Sequence, residues 1–357
     1  MRGVLVSGVF IAVAWLLLSP APVEAWGPAT HVALGELILN SLYLLPPAVR
    51  ILLERHPIHF LYGSVAADIS FAKKYVPEGR HSHNWSVGEE IFYAAPNPAL
   101  RAMGYGYLAH LAADTLAHNV FVPRRLFLSP TGKTHGHTFW EHTMDLRVGE
   151  EFLGKARRLV LNHDHSEADA YFDEILSRTL FSFKTNRRIF RGMIQVQDND
   201  RWKLVFDRVL GSSRYKLTED RVETYMGYAF DYIVDYLSHA EGSRPRAMDP
   251  VGALNLRIAK KLRKAGMAEG GSDHPEVLDA LADRFFPLPS SPLLYWNKAK
   301  ATGDRALLTG SSALKGLPSL LGEPAARGAL PAKSGAAEDG PDGDGADGPR
   351  PGVMPQR

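Results

Sequence analysis

The sequence predicts an all-α fold, a multi-helix bundle. Apolar residues recur at helical spacing through most of the chain between Ala29 and Phe286, and no convincing alternation of apolar and polar residues indicates a strand. With 45% hydrophobic and 22% charged residues, the composition is that of an ordinary globular protein. These observations favour helices packed on one another around an apolar core.

Three segments carry the clearest helical pattern. The first is expected to begin after Gly27-Pro28, because proline suits the first turn of a helix, and its apolar stripe runs from Val32 to Leu42. The second covers residues 101–121, and the third runs from Thr218 to His239. Loops are expected where glycine, proline and serine concentrate, at residues 77–79, 129–132 and 211–213.

The two ends of the chain differ from this pattern. Arg2 and the apolar run Val4–Leu18 predict a secretory signal, and Val23-Glu24-Ala25 offers small residues for cleavage before Trp26. The run is shorter than the ~20 residues that span a bilayer, although a retained anchor is the alternative. We therefore expect residues 1–25 to be a signal peptide, 26–300 a helical domain and 301–357 a disordered tail rich in Gly, Pro and Asp. The expected location is secreted or periplasmic.

Charge and cysteine content exclude several classes of site. The formal net charge is +2, so the chain as a whole lacks the large excess of positive charge that is typical of nucleic-acid-binding proteins. The sequence contains no cysteine, which excludes disulfides, thiolate metal ligands and a cysteine nucleophile. It also lacks the GxSxG motif of many serine hydrolases. Any metal must therefore be held by His, Asp and Glu.

Histidines cluster in the first half of the chain, where ten of the 14 lie between His31 and His142. In the segment from His110 through Asp114 to His118, side chains at positions i, i+4 and i+8 share one helix face and converge. Imidazole suits zinc, and a carboxylate between two imidazoles can bridge two ions. A polar stripe on an ordinary surface helix is the alternative interpretation.

A second helical pair is His137 with Glu141, also at i, i+4. His135 and His142 compete for its role. On a helix, however, His142 points about 100° away from Glu141, so it does not share the face of the pair. A solvated pair with no ligand is the alternative.

Further candidates lie upstream. Asp68 sits in an apolar run, where a buried carboxylate is costly unless it binds a partner or a metal, although it could also cap a helix end. Either His81 or His83 could be a ligand. If cleavage exposes Trp26, its free amine and carbonyl together with His31 could chelate an ion.

As an ordered set, these residues resemble the zinc-dependent phospholipase C family. That group includes the single-strand-specific nucleases of fungi and plants and the glycosylphosphatidylinositol-specific phospholipase D proteins. The family order is an N-terminal Trp, His, Asp, His, HxxxD, His and HxxxE/D, and here it reads Trp26, His31, Asp68, His83, His110, Asp114, His118, His137 and Glu141. The resemblance covers roughly residues 26–145.

The resemblance implies about three zinc ions. One would be held by Asp68, His83, His110 and Asp114, a second and more exposed one by His118, His137 and Glu141, and a third by Trp26, His31 and a bridging Asp114. His83 is preferred to His81 because the family histidine precedes an aromatic residue by two positions, as His83 precedes Trp85. Asp68 is expected to be catalytic by orienting or deprotonating water. The Asp114-to-His118 spacing is similar to the phospholipase D-like branch.

The implied function is zinc-dependent hydrolysis of a phosphodiester, with phospholipase C-type cleavage of phospholipids expected and peripheral contact with a membrane surface. The alternatives are a single-strand nuclease of the same fold, for which nucleic acid would be the partner, and a non-catalytic zinc-binding envelope protein. The lack of cysteine favours the bacterial phospholipases over the eukaryotic nucleases, which generally carry disulfides. Arg124, Arg125 and Lys133 lie between the two histidine motifs and are expected in a charged loop. The pairs His56/His59 and His163/His165 are expected on the surface.

Overall fold

The computed structural model describes residues 26–69, 79–128, 136–176, 183–197, 217–268 and 275–302. Within these ranges the chain forms helices joined by loops, with no β-strand. This confirms the predicted all-α class. The expected signal peptide and most of the expected tail lie outside the described residues, as do the predicted loops at 129–132 and 211–213.

The helices are numbered here in chain order. They are α1 (Pro28–Asn40), α2 (Pro47–Arg55), α3 (Pro57–Ala66), α4 (Trp85–Tyr93), α5 (Pro98–Leu116), α6 (Val122–Leu128), α7 (His137–Val148), α8 (Glu150–Asn162), α9 (Ser166–Ile175), α10 (Phe183–Gln197), α11 (Glu219–His239), α12 (Ala253–Ala268), α13 (Pro275–Phe285) and α14 (Leu294–Ala301). Short 3₁₀ turns cover Leu42–Leu44, Ala67–Ile69, Ala240–Gly242 and Pro245–Ala247, and a π-helical turn covers Ala117–Phe121. None of the described helices is long and apolar enough to cross a membrane.

The three helices with the clearest sequence pattern are all confirmed. Helix α1 begins at the predicted proline, and α11 occupies the predicted third segment. Helix α5 begins three residues earlier than predicted, at Pro98, because the Asn97 side chain caps it by accepting a 2.9 Å hydrogen bond from the Leu100 amide. The helical path then continues through the π turn into α6.

Helix α5 lies at the centre of the bundle and packs against α3, α4 and α11. Glycines permit its close approach to α3. A Cβ added to Gly63 would lie 2.0 Å from the Met103 carbonyl oxygen, and one added to Gly106 would lie 1.9 Å from the Phe60 carbonyl oxygen. The backbones of the two helices are therefore almost in contact, which places the polar residues of α5 deep in the protein.

Burial on all sides explains why α5 has apolar residues around most of its circumference. His110 and Asp114 are exceptions to that apolar character, yet they are only 1% and 0% exposed. Since a buried charge is costly unless it is paired or bound to a metal, these two side chains require partners from neighbouring elements.

Arg124 and Arg125 are not in a charged loop, as the sequence suggested, but in helix α6, and both are buried. Arg124 donates a 3.0 Å hydrogen bond to the Phe286 carbonyl oxygen and pairs with Asp283, while the Arg125 guanidinium lies over the Trp140 ring. These contacts join α6 to neighbouring elements and occupy the guanidinium groups structurally. Lys133 lies outside the described residues.

The expectation that His165 lies on the surface was also wrong. Its side chain is buried, stacks on Tyr62 with ring centroids 3.6 Å apart, and its Nε2 donates to the Leu159 carbonyl oxygen. Burial lowers the pKa of His165 to about 4, so the ring is neutral in the folded protein. Its neighbour His163 and the pair His56 and His59 are partly buried.

Candidate metal centre

Asp114 lies at the centre of the histidine cluster. Its Oδ2 atom is 3.1 Å from His83 Nε2 and 3.2 Å from His110 Nε2. Its Oδ1 atom lies 3.4 Å from His31 Nε2. Each oxygen of this one carboxylate therefore lies near a different imidazole, as a bridging carboxylate requires.

Asp68 supplies a second carboxylate from the 3₁₀ turn that follows α3. Its Oδ1 atom lies 3.2 Å from His83 Nε2 and 3.7 Å from His110 Nε2. The ligand atoms of His31, Asp68 and His110 lie within 4.8 Å of one another, and so do those of His83, His110 and Asp114. Two candidate sites thus share His110.

The hydrogen bonding of His110 fixes its tautomer. Its Nδ1 lies 2.9 Å from the Ser64 carbonyl oxygen, which can only accept, so Nδ1 carries the hydrogen. In the neutral ring the Nε2 lone pair then points at carboxylate oxygens and at His83 Nε2, 3.1 Å away. That arrangement is repulsive unless a cation lies among these atoms.

In the metal-free protein a proton takes that place. Burial alone would lower the pKa of His110, but the neighbouring Asp114 and Asp68 carboxylates outweigh burial and raise it to about 9. The same carboxylates would attract a divalent cation. Metal binding must displace the proton, because the ligating nitrogen is the unprotonated one.

A third group of candidate ligands adjoins Asp114 on its Oδ2 side. His118 Nδ1 donates to the Pro250 carbonyl oxygen, which leaves Nε2 as the ligating atom. His137 Nε2 and Glu141 Oε1 are 2.7 Å apart, and the His118 and His137 rings lie 5.1 Å apart. Ligand atoms of all three residues fall within 4.8 Å of one another. His118 Nδ1 is 4.0 Å from Asp114 Oδ2, so this group adjoins the first two.

His118 is neutral in the folded protein. Burial is the largest cause and lowers its pKa to about 3, despite the opposing effect of Asp114. A neutral imidazole with its Nδ1 hydrogen bonded to a carbonyl is the form that ligates zinc. His118 lies in the π-helical turn Ala117–Phe121, an irregularity of the kind often found at functional sites.

Asp145 is a functional candidate that the sequence analysis missed. It lies on α7 four residues after Glu141, and its carboxylate accepts hydrogen bonds from the Ala29 amide (3.2 Å), the Thr30 amide (2.9 Å) and the Thr30 hydroxyl (2.6 Å). These donors belong to the first turn of α1, directly before His31. The i+4 spacing from Glu141 was the available signal, because it places Asp145 on the face of the His137–Glu141 pair.

The N-terminal segment packs closely on this carboxylate. A Cβ added to Gly27 would lie 2.1 Å from Asp145 Oδ2. The Trp26 side chain is fully buried with its ring 5.9 Å from the Phe121 ring. Trp26 is therefore held inside the protein beside the candidate centre, while the ligating role of its amine and carbonyl remains a prediction, as does the cleavage that would expose them.

Among the competing histidines, the structure places His83 at the centre. His83 is 0% exposed, whereas His81 is partly exposed and its Nδ1 accepts a 3.1 Å hydrogen bond from the His83 amide. His142 is buried with its pKa lowered to about 4 by desolvation, and it belongs to none of the three groups. His135 lies outside the described residues.

The arrangement fits a cluster of divalent cations. Among the described residues, His31 Nε2, both oxygens of Asp114 and His118 Nε2 are buried atoms that make no hydrogen bond. Leaving such a group unsatisfied costs about 1–3 kcal/mol, more when it is charged. Imidazole nitrogens and carboxylate oxygens are the ligands that zinc takes in the absence of thiolates. The donor set therefore suits zinc.

Comparison with known proteins gives an independent result. Residues 30–190 match the family model described as zinc dependent phospholipase C. No curated protein and no solved structure matches the chain. The matched segment contains all three groups of candidate ligands, from His31 to Glu141. This match supports the resemblance to the zinc-dependent phospholipase C family over residues 30–190.

Proposed function

We propose that this protein is a zinc-dependent phosphodiester hydrolase that cleaves phospholipids in the manner of a phospholipase C. The observation that carries the proposal is the single buried carboxylate of Asp114, which lies within 3.4 Å of three imidazole nitrogens and adjoins a further His–His–Glu group. A centre built in this way can hold several cations close together, which suits attack on a phosphorus atom.

The chemistry that zinc supplies when bound is Lewis acidity toward phosphoryl oxygens and activation of water at neutral pH. The chain itself supplies orientation. Carbonyl oxygens of Ser64 and Pro250 fix the rings of His110 and His118, so that each presents Nε2. Asp68 lies against His83 and His110, where its carboxylate orients the attacking water and accepts its proton.

Substrate is expected to enter beside the third group. The His137 side chain is 13% exposed, whereas those of His83, His110 and Asp114 are fully buried. His137 therefore marks the side of this group from which a phosphodiester is expected to approach. This difference supports the expectation that the ion held there is the more exposed one.

The compartment and partners are part of the proposal. The apolar run Val4–Leu18 and the small residues before Trp26 favour export to the periplasm or the medium, where phospholipid surfaces are accessible. About three zinc ions per chain are expected. A peripheral contact with the membrane surface is the partner interaction that a phospholipid substrate requires.

The experiment is phosphorus NMR of the purified, zinc-loaded protein with mixed phospholipid vesicles and single-stranded DNA, with and without chelator. Chelator-sensitive release of phosphocholine is the expected result, and Asp68→Asn should abolish it. Asp164→Asn, at an exposed surface carboxylate, is the matched control and should keep full activity.

The other products would each overturn part of the proposal. Phosphatidic acid would mean D-type cleavage, and nucleotide monophosphates would identify a single-strand nuclease. If zinc-loaded protein released nothing from either substrate, the centre would be non-catalytic and the protein a zinc-binding envelope component.

A further inference from the structure

The outer face of helix α12 carries a stripe of positive charge. Four cations are exposed along it, at Arg257, Lys260, Lys261 and Lys264, and none of them forms an ion pair with any described residue. The helix sequence from Ala253 to Ala268 contains no acidic residue. Positive charge on this face is therefore not neutralised by the helix itself.

The opposite face of α12 fixes the helix to the bundle. Leu256, Ala259 and Arg263 are buried, and the helix packs against α6. The cations at positions 257, 260, 261 and 264 follow helical spacing, so they share the outward face over about 10 Å of helix length. The stripe is thus held rigidly, since its helix is anchored by core residues.

The same helix begins at the candidate metal centre. The Pro250 carbonyl oxygen accepts a hydrogen bond from His118, and a Cβ on Gly252 would lie 2.4 Å from the His118 carbonyl oxygen. Asn255 in the first turn donates a 3.0 Å hydrogen bond to the Asn119 side chain. The cationic stripe therefore starts about one helical turn from the ligand of the more exposed group.

An exposed apolar residue lies at the end of the stripe nearest the centre. Leu254, in the first turn of α12, is 63% exposed. Cations with an exposed aliphatic side chain at one end match the boundary of a bilayer, where anionic headgroups meet the acyl region. Along the helix, the aliphatic side chain is therefore nearer than the charges to the end that adjoins His118.

We propose that this face of α12 docks on an anionic phospholipid bilayer. The protein has a net charge of only +2, so the attraction comes from this local stripe and not from the chain as a whole. Docking would bring the N-terminal end of α12, which adjoins His118, close to the headgroups. The inference deepens the proposed phospholipase function, on which its biological purpose rests, but the binding itself does not require catalysis.

The exposed residues of α12 favour a bilayer over nucleic acid. Single-stranded nucleic acid is usually held by cations interleaved with aromatic side chains on which bases stack. Helix α12 contains no aromatic residue, whereas it does expose Leu254. Binding of nucleic acid to this face is an outcome that the experiment must be able to detect.

The test measures partitioning onto vesicles with zinc chelated, so that no lipid is consumed. Vesicles of equimolar phosphatidylglycerol and phosphatidylcholine are compared with vesicles of phosphatidylcholine alone, by sedimentation. Each cation is expected to add about fivefold to binding of the anionic vesicles. Replacing four of them should therefore weaken partitioning by at least about 100-fold and should leave the weak binding to phosphatidylcholine unchanged.

Two variants of the same net charge make the comparison. The test variant is Arg257→Gln/Lys260→Gln/Lys261→Gln/Lys264→Gln, and the control is Arg55→Gln/Arg101→Gln/Arg188→Gln/Lys298→Gln, which removes exposed cations from four other helices. All proteins are made from the full-length sequence and carry the same N-terminus, and circular dichroism confirms that both variants fold. Only the α12 variant should lose binding.

If both variants lose the same amount of binding to the anionic vesicles, the binding depends only on net charge and the proposal is overturned. A selective loss of oligonucleotide binding with vesicle binding unchanged would assign the face to nucleic acid. Hydrolysis of the soluble diester bis(p-nitrophenyl) phosphate is measured in parallel. If the protein does not hydrolyse the diester but the α12 variant alone loses vesicle binding, the proposed function is rejected and the docking face is kept. If the protein hydrolyses the diester but the α12 variant binds vesicles as well as the control does, the docking face is rejected and the proposed function is kept.

Discussion

Asp114 illustrates how one residue can organise a metal centre. One of its oxygens lies near His31 and the other near His83 and His110, and His118 lies one helical turn farther on. All of these side chains are buried, so water cannot screen the carboxylate from its neighbours. A substitution of Asp114 should therefore weaken the binding of more than one ion.

Replacement of Asp114 by Asn is expected to reduce the zinc content by about two ions per chain. The amide keeps the shape of the side chain but loses the negative charge and one acceptor oxygen, so it cannot bridge. Glu141→Gln is the control, since Glu141 belongs to only one group and should cost about one ion. Native mass spectrometry counts the bound zinc. Loss of a single ion from the Asp114 variant would show that this carboxylate does not bridge.

The pKa of His110 gives a second prediction at this scale, for the metal-free protein. A folded pKa of about 9 against the ordinary 6.5 means that the folded state binds this proton more tightly than the unfolded state does. The resulting stabilisation is complete below pH 6.5 and is lost as the pH rises through 9. At ~1.4 kcal/mol per pH unit, the free energy of unfolding should fall by about 3 kcal/mol between these values.

Urea unfolding in the presence of chelator, measured from pH 6.5 to 9.5, checks this expectation. His118 and Asp145 do not interfere, because their pKa values of about 3 and about 6 lie below that range. Zinc should abolish the decline, since the metal takes the place of the proton. A flat profile in chelator, or the same decline in the variant His110→Asn, would contradict the assignment.

Residue chemistry was the part most accessible from the sequence. Burial of His and Asp side chains costs free energy unless they bind a partner or a metal, so their helical spacing favoured a metal cluster even without tertiary structure. Asp145 was not found, because its partners are two backbone amides and a hydroxyl more than 100 positions away in the chain. Arg124 and Arg125 were wrongly expected in a charged loop, because the groups that hold them in place, the Phe286 carbonyl oxygen and the Trp140 ring, belong to other parts of the chain.

Among the elements, α7 connects two parts of the centre. One face carries His137 and Glu141, and the same face carries Asp145, which caps the first turn of α1. His31 follows that turn immediately. The position of the first helix relative to α7, and hence of His31 relative to Asp114, depends on this carboxylate.

Replacement of Asp145 by Ala should loosen the start of α1 and cost about one zinc ion. Three donors lose their acceptor, and buried donors left unsatisfied destabilise by about 1–3 kcal/mol each. Asp145→Asn keeps one acceptor oxygen and should show a smaller loss. Zinc counting is combined with hydrogen exchange at the Thr30 amide, which should accelerate in the Ala variant. Full zinc content with an unprotected Thr30 amide would show that the cap does not position His31.

The contact between α3 and α5 gives a prediction that concerns packing alone. Gly106→Ala would place a methyl group 1.9 Å from the Phe60 carbonyl oxygen, which forces the two helices apart. We expect a loss of at least about 3 kcal/mol in the free energy of unfolding, because the backbone cannot move aside as a side chain can. Gly192→Ala, in a helix where a Cβ meets nothing within 4 Å, is the control and should be neutral or stabilising. Comparable stability of the two variants would refute the close approach.

Element positions were predictable where periodicity was strong and less so elsewhere. Helices α1, α5 and α11 follow from apolar stripes and their proline or polar caps. The π-helical turn at Ala117–Phe121 has no such signature, since a wider turn depends on what packs against it. The sequence analysis treated His110, Asp114 and His118 as parts of one plain helix. His110 and Asp114 lie in its regular part, which ends at Leu116, whereas His118 lies in the π-helical turn and still adjoins Asp114.

At the scale of the whole molecule, α5 packs among neighbouring helices, and His137, with a 13% exposed side chain, is the most exposed of the described candidate ligands. The cationic face of α12 begins beside this more exposed group. Burial protects the ligands from water, and the proposed substrate would approach from the side of His137.

The most direct test of a metal cluster organised by Asp114 is anomalous diffraction at the zinc edge from crystals of the full chain grown with zinc. Separate peaks are expected at the His83–His110–Asp114 group, the His118–His137–Glu141 group and beside His31, with one Asp114 oxygen directed at each of two ions. Zinc bound only at surface histidines, with these buried atoms bonded to one another through protons or water, would contradict it.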